Sequence, residues 1–101
     1  MEVARSKNGV PIRLSQDRWA HVVEHHDDVA GYRDRVLETI EDPEAVVRGR
    51  AGELLALRPL GGRTLVVVYR ELSRMDGFVI TAFFTTQPDR VRKRGVAWQK
   101  P

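Results

Sequence analysis

Hydrophobic and polar positions alternate with two different periods in this chain, and the change falls near residue 44. In the first half, Trp19, Val22, Val23 and position 26 recur at i, i+3, i+4 and i+7, the spacing that gathers side chains on one helical face. Ser15 stands where an N-cap oxygen would serve the free backbone N–H groups of a first turn. Asp17 lies in that turn, where a negative charge meets the positive end of the helix dipole. The pattern predicts a helix over 15–26, preceded by a short entry strand at 11–14. Tyr32, Val36, Leu37 and Ile40 form a second stripe and predict a helix over about 29–41, capped by Asp28. Pro43 closes it, because the residue before a proline is pushed out of the helical region.

Beyond Pro43 the period becomes two. "AVVRG" (45–49), "ELLALRP" (53–59), "TLVVVYREL" (64–72) and "GFVITAFFTT" (77–86) read as strands, separated by short glycine-containing turns that favour antiparallel hairpins. The expected architecture is α+β in one domain over 1–101: two N-terminal helices packed on an antiparallel sheet of about four strands. The tail after Pro88 reads as a loop and a short closing strand. Within 77–86, Phe78, Ile80, Ala82 and Phe84 share one face, expected against the helices. Val79, Thr81, Phe83 and Thr85 share the other, expected to be open.

Composition narrows the class. Apolar residues make up 42% and charged residues 31%, which suits a folded globular chain rather than a disordered one. The longest apolar run, "TLVVVY", is too short to span a bilayer, and the first residues lack the apolar core of a secretion signal, so no membrane association and a cytoplasmic location are expected. With no cysteine there is no disulfide framework. The charge is unevenly divided. Residues 15–47 hold nine acids against three arginines, whereas residues 48–101 hold eleven Lys and Arg against four acids. That basic half points to a polyanionic partner.

All three histidines lie in "HVVEHHDD" (21–28). His21-Val-Val-Glu24-His25 fits H-x-x-E-H, a zinc-hydrolase spacing that places two imidazoles one turn apart. A catalytic zinc needs a third protein ligand, and His26 projects about 100° round the helix from His25, away from that pair. The expectation is no metal and no other cofactor. On the helical wheel His26 sits among Trp19, Val22 and Val23 on the apolar face at the helix end, His25 and Arg18 lie at one margin of that stripe, and His21 lies further toward solvent.

The wider pattern resembles the phage-type barnase–EndoU–colicin–RelE-like nucleases. Trp19, His21, Val22 and His26 match the helix start and following turn of those domains. Asp42-Pro43-Glu44 with Val46 matches a second element, Ile80-Thr81-Ala82-Phe83 a late strand, and "GVAWQ" (95–99) the closing segment. The likeness extends over roughly 12–99. Two departures stand out: the His-Pro-Glu turn reads His26-Asp27-Asp28, and phenylalanine stands where the late strand usually carries tyrosine.

The resemblance implies a metal-independent ribonuclease of the toxin or RNA-processing kind, with RNA as substrate and a cognate inhibitor or antitoxin protein as a further partner. Such chemistry needs a proton acceptor for the attacking 2′-hydroxyl, a cation for the phosphorane charge and a proton donor for the leaving oxygen. The candidates are His21 and His26 for proton transfer and Thr81 as an orienting hydroxyl. His25, Arg48, Arg58, Arg70, Thr85, Arg92, Lys93, Arg94 and Trp98 are the candidates for holding the RNA. The alternative expectation is a nuclease-like frame without catalysis, used to bind RNA or a protein.

Overall fold

A computed structural model describes residues 1–101. The α+β class stands, but the sheet is larger than the sequence suggests and the helices number three. In chain order the elements are β1 (Glu2–Arg5), β2 (Pro11–Leu14), α1 (Gln16–His25), a 3-10 turn (Asp27–Val29) and α2 (Arg33–Glu41). They continue with β3 (Ala45–Arg48), β4 (Leu54–Leu60), β5 (Arg63–Ser73), β6 (Asp76–Thr85), α3 (Pro88–Arg92) and β7 (Val96–Gln99). The seven strands form one sheet in the order β1-β2-β6-β5-β4-β3-β7.

Three features correct the sequence reading. The helices do not come first, because the β1–β2 hairpin precedes them. The sheet is not purely antiparallel, because β2 joins β6 in parallel through Ile12↔Gly77 and Arg13↔Phe78. The tail after Gln87 ends in the expected closing strand, β7, but what precedes it is a short helix rather than a loop, with Pro88 at its first turn, where a missing N–H costs nothing. The second helix also starts later than expected. Asp28 belongs to the 3-10 turn, and Tyr32 occupies the N-cap of α2 without a side-chain hydrogen bond. Ser15 caps α1 as expected, its Oγ accepting from Arg18 N–H at 3.0 Å.

The strand pairing fixes two faces. On the helix side, Ile12, Leu14, Leu65, Val67, Tyr69, Val79 and Ala82 bury Val22 of α1 and Val36 and Ile40 of α2. Trp19 is only partly buried beside this core, so Val22 is the residue that seats α1. Burial pushes up the pKa of the Tyr69 hydroxyl, with Glu71 adding to the effect. A second cluster on the opposite face joins Val47, Leu55, Leu57, Val66 and Val68 to Val91 of α3, with Ile80 and Phe83 packed at its margin.

Strand β6 departs from simple alternation. Tyr69 pairs with Val79 and Val68 with Thr81, so Ile80 is an extra residue in the ladder. The bulge inverts the expected faces at its N-terminal end: Val79 turns into the helix-side core, and Ile80 turns toward the second cluster. From Thr81 onward the expected alternation holds, with Ala82 and Phe84 facing the helices and Thr81 and Phe83 facing away.

Part of the uneven charge is neutralised within the fold itself. Five of the eight ion pairs join the acidic segment 15–47 to the basic segment that follows it: Arg58 to Glu38 and Asp42, Arg63 to Asp28, Arg92 to Glu44 and Lys100 to Asp42. At the parallel junction, Arg13 holds Asp76 through Nε at 2.7 Å and Nη2 at 3.1 Å. That hydrogen bond holds the Asp76 carboxyl below the usual carboxylate range, and the Lys100 hydrogen bond does the same for Asp42. A carboxyl with a lower pKa folded than unfolded contributes stability that is fully present above the unfolded value and is lost as pH falls through the folded one. Urea midpoints should therefore drop as pH falls below about 4. Asp76→Asn should be less stable than wild type at neutral pH and should lose less on acidification. An equal loss in both proteins would remove Asp76 from the account.

Candidate nucleic-acid interface

Strand β2 pairs with only Gly77 and Phe78 of the β6 edge. From Val79 onward no strand pairs with that edge, and α1 runs beside it instead. Two side chains reach across, one from α1 and one from its C-cap. Arg18 Nη1 donates to the Ile80 carbonyl at 3.5 Å, and the His26 ring lies 5.8 Å from the Phe83 ring, centroid to centroid. Arg18 comes from the margin of the α1 apolar stripe and His26 from the C-cap, eight residues apart, and they touch β6 three residues apart. Between these contacts, Thr81 stands half-buried on the outward face with Phe83. A guanidinium, a hydroxyl, an aromatic ring and an imidazole are thus ranged along one free strand edge.

The lip continues at both ends. Toward the N-terminus of α1, Arg13, Ser15, Arg18, Phe78 and Val79 line a depression of about 150 Å³. A shallower one of about 380 Å³ adjoins it, sharing Ser15 and Arg18 and adding Asp17 and His21. Toward the C-terminus of β6, Thr85 and Thr86 line a third, of about 260 Å³, with Thr64, Arg63, Gly61 and Gly62. The Arg63 guanidinium is not free there, since it lies 3.6 Å over Phe84 and pairs with Asp28 at 3.7 Å.

Among the residues singled out from the sequence, His26, Thr81 and Thr85 lie on this lip, and His21 stands beside it. His21 and His25 are exposed and stack at 4.4 Å, with His25 Nδ1 3.0 Å from the His21 carbonyl. No group of three or more His, Cys, Asp or Glu side chains is arranged to hold a metal ion. The other candidates are dispersed. Arg58 faces the helices and is bound by Glu38 and Asp42. Arg92 is engaged with Glu44 and Gln99, where it fastens α3 to the β3–β7 edge. Arg48 reaches the Val96 carbonyl, and Arg70 the Ala51 carbonyl. Trp98 lies under the Lys7 ammonium at 4.9 Å. Lys93 and Arg94 are exposed beyond α3 and, like Arg90, have no carboxylate partner.

Sequence reasoning passed over Arg18 and Phe78. The signal for Arg18 was present in its place at the margin of the helical stripe, one turn before His21. Phe78 was hidden, because only the bulge at Ile80 turns it outward. No helix is long and apolar enough to cross a membrane. No family model matches the chain, and no curated protein or solved structure matches it.

Proposed function

We propose that this protein cleaves RNA without a metal, at the lip between α1 and the free edge of β6. The observation that carries the reading is the alignment of Arg18, Thr81, Phe83 and His26 along one edge that no strand occupies. The resemblance to barnase–EndoU–colicin–RelE-like nucleases supports the same chemistry. A single-stranded segment lies along β6, with one base against the half-exposed Phe83 ring, as unpaired RNA bases stack on aromatic side chains. One imidazole of the His21 and His26 pair takes the proton from the 2′-hydroxyl, which attacks the adjacent phosphorus. Arg18 stabilises the charge on the phosphorane oxygens, and Thr81 orients a phosphate oxygen. The other imidazole returns a proton to the departing 5′-oxygen. One strand thereby gains a 2′,3′-cyclic phosphate and the other a 5′-hydroxyl, with no net change in protons.

The contact between His26 and Phe83 also favours a second reading, in which His26 is a packing residue and the lip only binds RNA. Incubation of a mixed-sequence RNA in EDTA separates the two. Cleavage to cyclic-phosphate ends, absent from a substrate with 2′-deoxyribose throughout, supports the enzyme. Retained binding with no product supports the binding module.

The exposed cations on and just beyond α3 make a separate prediction. Arg90, Lys93 and Arg94 lack carboxylate partners, so they are available to phosphates, whereas Arg92 is not. Affinity for RNA should fall steeply with salt, and reversing these three charges to Glu should flatten the slope of log Kd against log salt by about 2–3. An unchanged slope would leave the α3 surface outside the RNA path.

A further inference from the structure

We infer that His21 and His25 form a bidentate surface site for a divalent transition-metal ion, with Cu2+ held most tightly. The two residues stand one turn apart on α1, exposed, with ring centroids 4.4 Å apart and planes tilted by 48°. An ion about 2.0–2.1 Å from each nitrogen requires the two nitrogens roughly 3 Å apart, a separation within reach of two exposed rings whose centroids already lie 4.4 Å apart.

The second observation concerns the tautomer. His25 Nδ1 lies 3.0 Å from the His21 carbonyl, and a carbonyl oxygen only accepts. Nδ1 of His25 is therefore the donor, and the neutral ring presents its lone pair at Nε2, toward solvent. Ligating histidines characteristically donate their other ring N–H to a carbonyl or carboxylate in this way, which fixes the ring and raises the basicity of the ligating nitrogen. Neither ring is held by an ion pair that an incoming ion would have to break.

No third protein ligand is arranged at the pair, so water completes the coordination shell. Such an open, nitrogen-rich site follows the ordinary affinity order among divalent ions, with Cu2+ above Ni2+ and Zn2+. His26 takes no part, because its ring is turned to Phe83.

The test is calorimetric titration of CuCl2 into the full chain, first freed of metal, in a weakly coordinating buffer near neutral pH. One ion per chain is expected. His21→Ala and His25→Ala should each weaken binding by at least the roughly 10–100-fold that loss of even an outer partner costs at a metal site. His26→Ala should bind as wild type does, and circular dichroism of each variant checks that α1 is intact. Equal affinity in wild type and the His21→Ala/His25→Ala double variant would overturn the site. So would a loss in His26→Ala as large as in the other two.

Discussion

Replacement of His26 by glutamine should lower kcat for RNA cleavage by about 10²–10⁴-fold, the range that a positioned acid or base supplies. Glutamine keeps much of the volume against Phe83 and both hydrogen-bonding functions, but it neither takes up nor releases a proton at working pH. Because His26 is only half-buried and makes no side-chain hydrogen bond, the fold should tolerate the change. Affinity for a non-cleavable 2′-deoxy oligonucleotide should also stay close to wild type. Arg18→Ala should reduce kcat by about 10²–10³-fold, the loss seen when one donor to a developing oxyanion is removed. Thr81→Ala should cost less, since a hydroxyl that orients carries no net charge. Steady-state kinetics on a short RNA of defined sequence, with thermal melts of each variant, separates these roles. If the His26→Gln enzyme kept wild-type kcat, His26 would be a packing residue and the catalytic reading of the lip would fail.

What could be read in the sequence was local. Ser15 as N-cap, the stripe of α1 and the four strands between 45 and 86 each follow from local spacing, and the structure has them within a residue or two. What escaped was non-local or short. "EVAR" (2–5) carries too little alternation to announce a strand, and it becomes one only by pairing with 11–14. The parallel contact of β2 with β6 joins segments more than sixty residues apart, and no periodicity encodes it. α3 is five residues long and mostly polar, and Pro88 was its one sign. The bulge at Ile80 has no glycine to mark it, yet it decides which aromatic faces outward. The charge was legible as a total and misleading as a surface, because Arg58, Arg63, Arg92 and Lys100 are drawn to the acidic segment rather than left for a partner.

That lip exists only because β2 stops where it does, and Gly77 is where β2 meets β6. A Cβ on Gly77 would lie 2.5 Å from Ile12 Cδ1 and 2.6 Å from the Arg70 carbonyl oxygen. The first neighbour is a fully buried side chain and the second is backbone of the central strand β5, so neither yields without moving a strand. Its φ is not in the left-handed region, so the cost is crowding rather than backbone strain. Overpacking of this kind costs about 1–3 kcal/mol. Alanine recovers about 0.4–1 kcal/mol by restricting the unfolded chain. With two unyielding neighbours the cost lies near the top of that range, so Gly77→Ala should destabilise by about 2 kcal/mol net, read from urea unfolding. Gly49 is the control. Its added Cβ would collide with Glu53, but only with the side chain, from Cγ to the carboxylate, which is half-exposed and held chiefly by the hydrogen bond from Ala51 N–H at 2.9 Å. Glu53 can swing aside, so Gly49→Ala should change stability by less than about 1 kcal/mol. Because relief of the Ile12 clash at Gly77 draws β2 away from β6, RNA cleavage by Gly77→Ala should fall even where the protein is fully folded, through displacement of Arg13 and the α1 N-terminus. Equal and small effects at both glycines would mean that the β2–β6 junction is loose, and that the edge beside it is not held in the shape the cleavage reading requires.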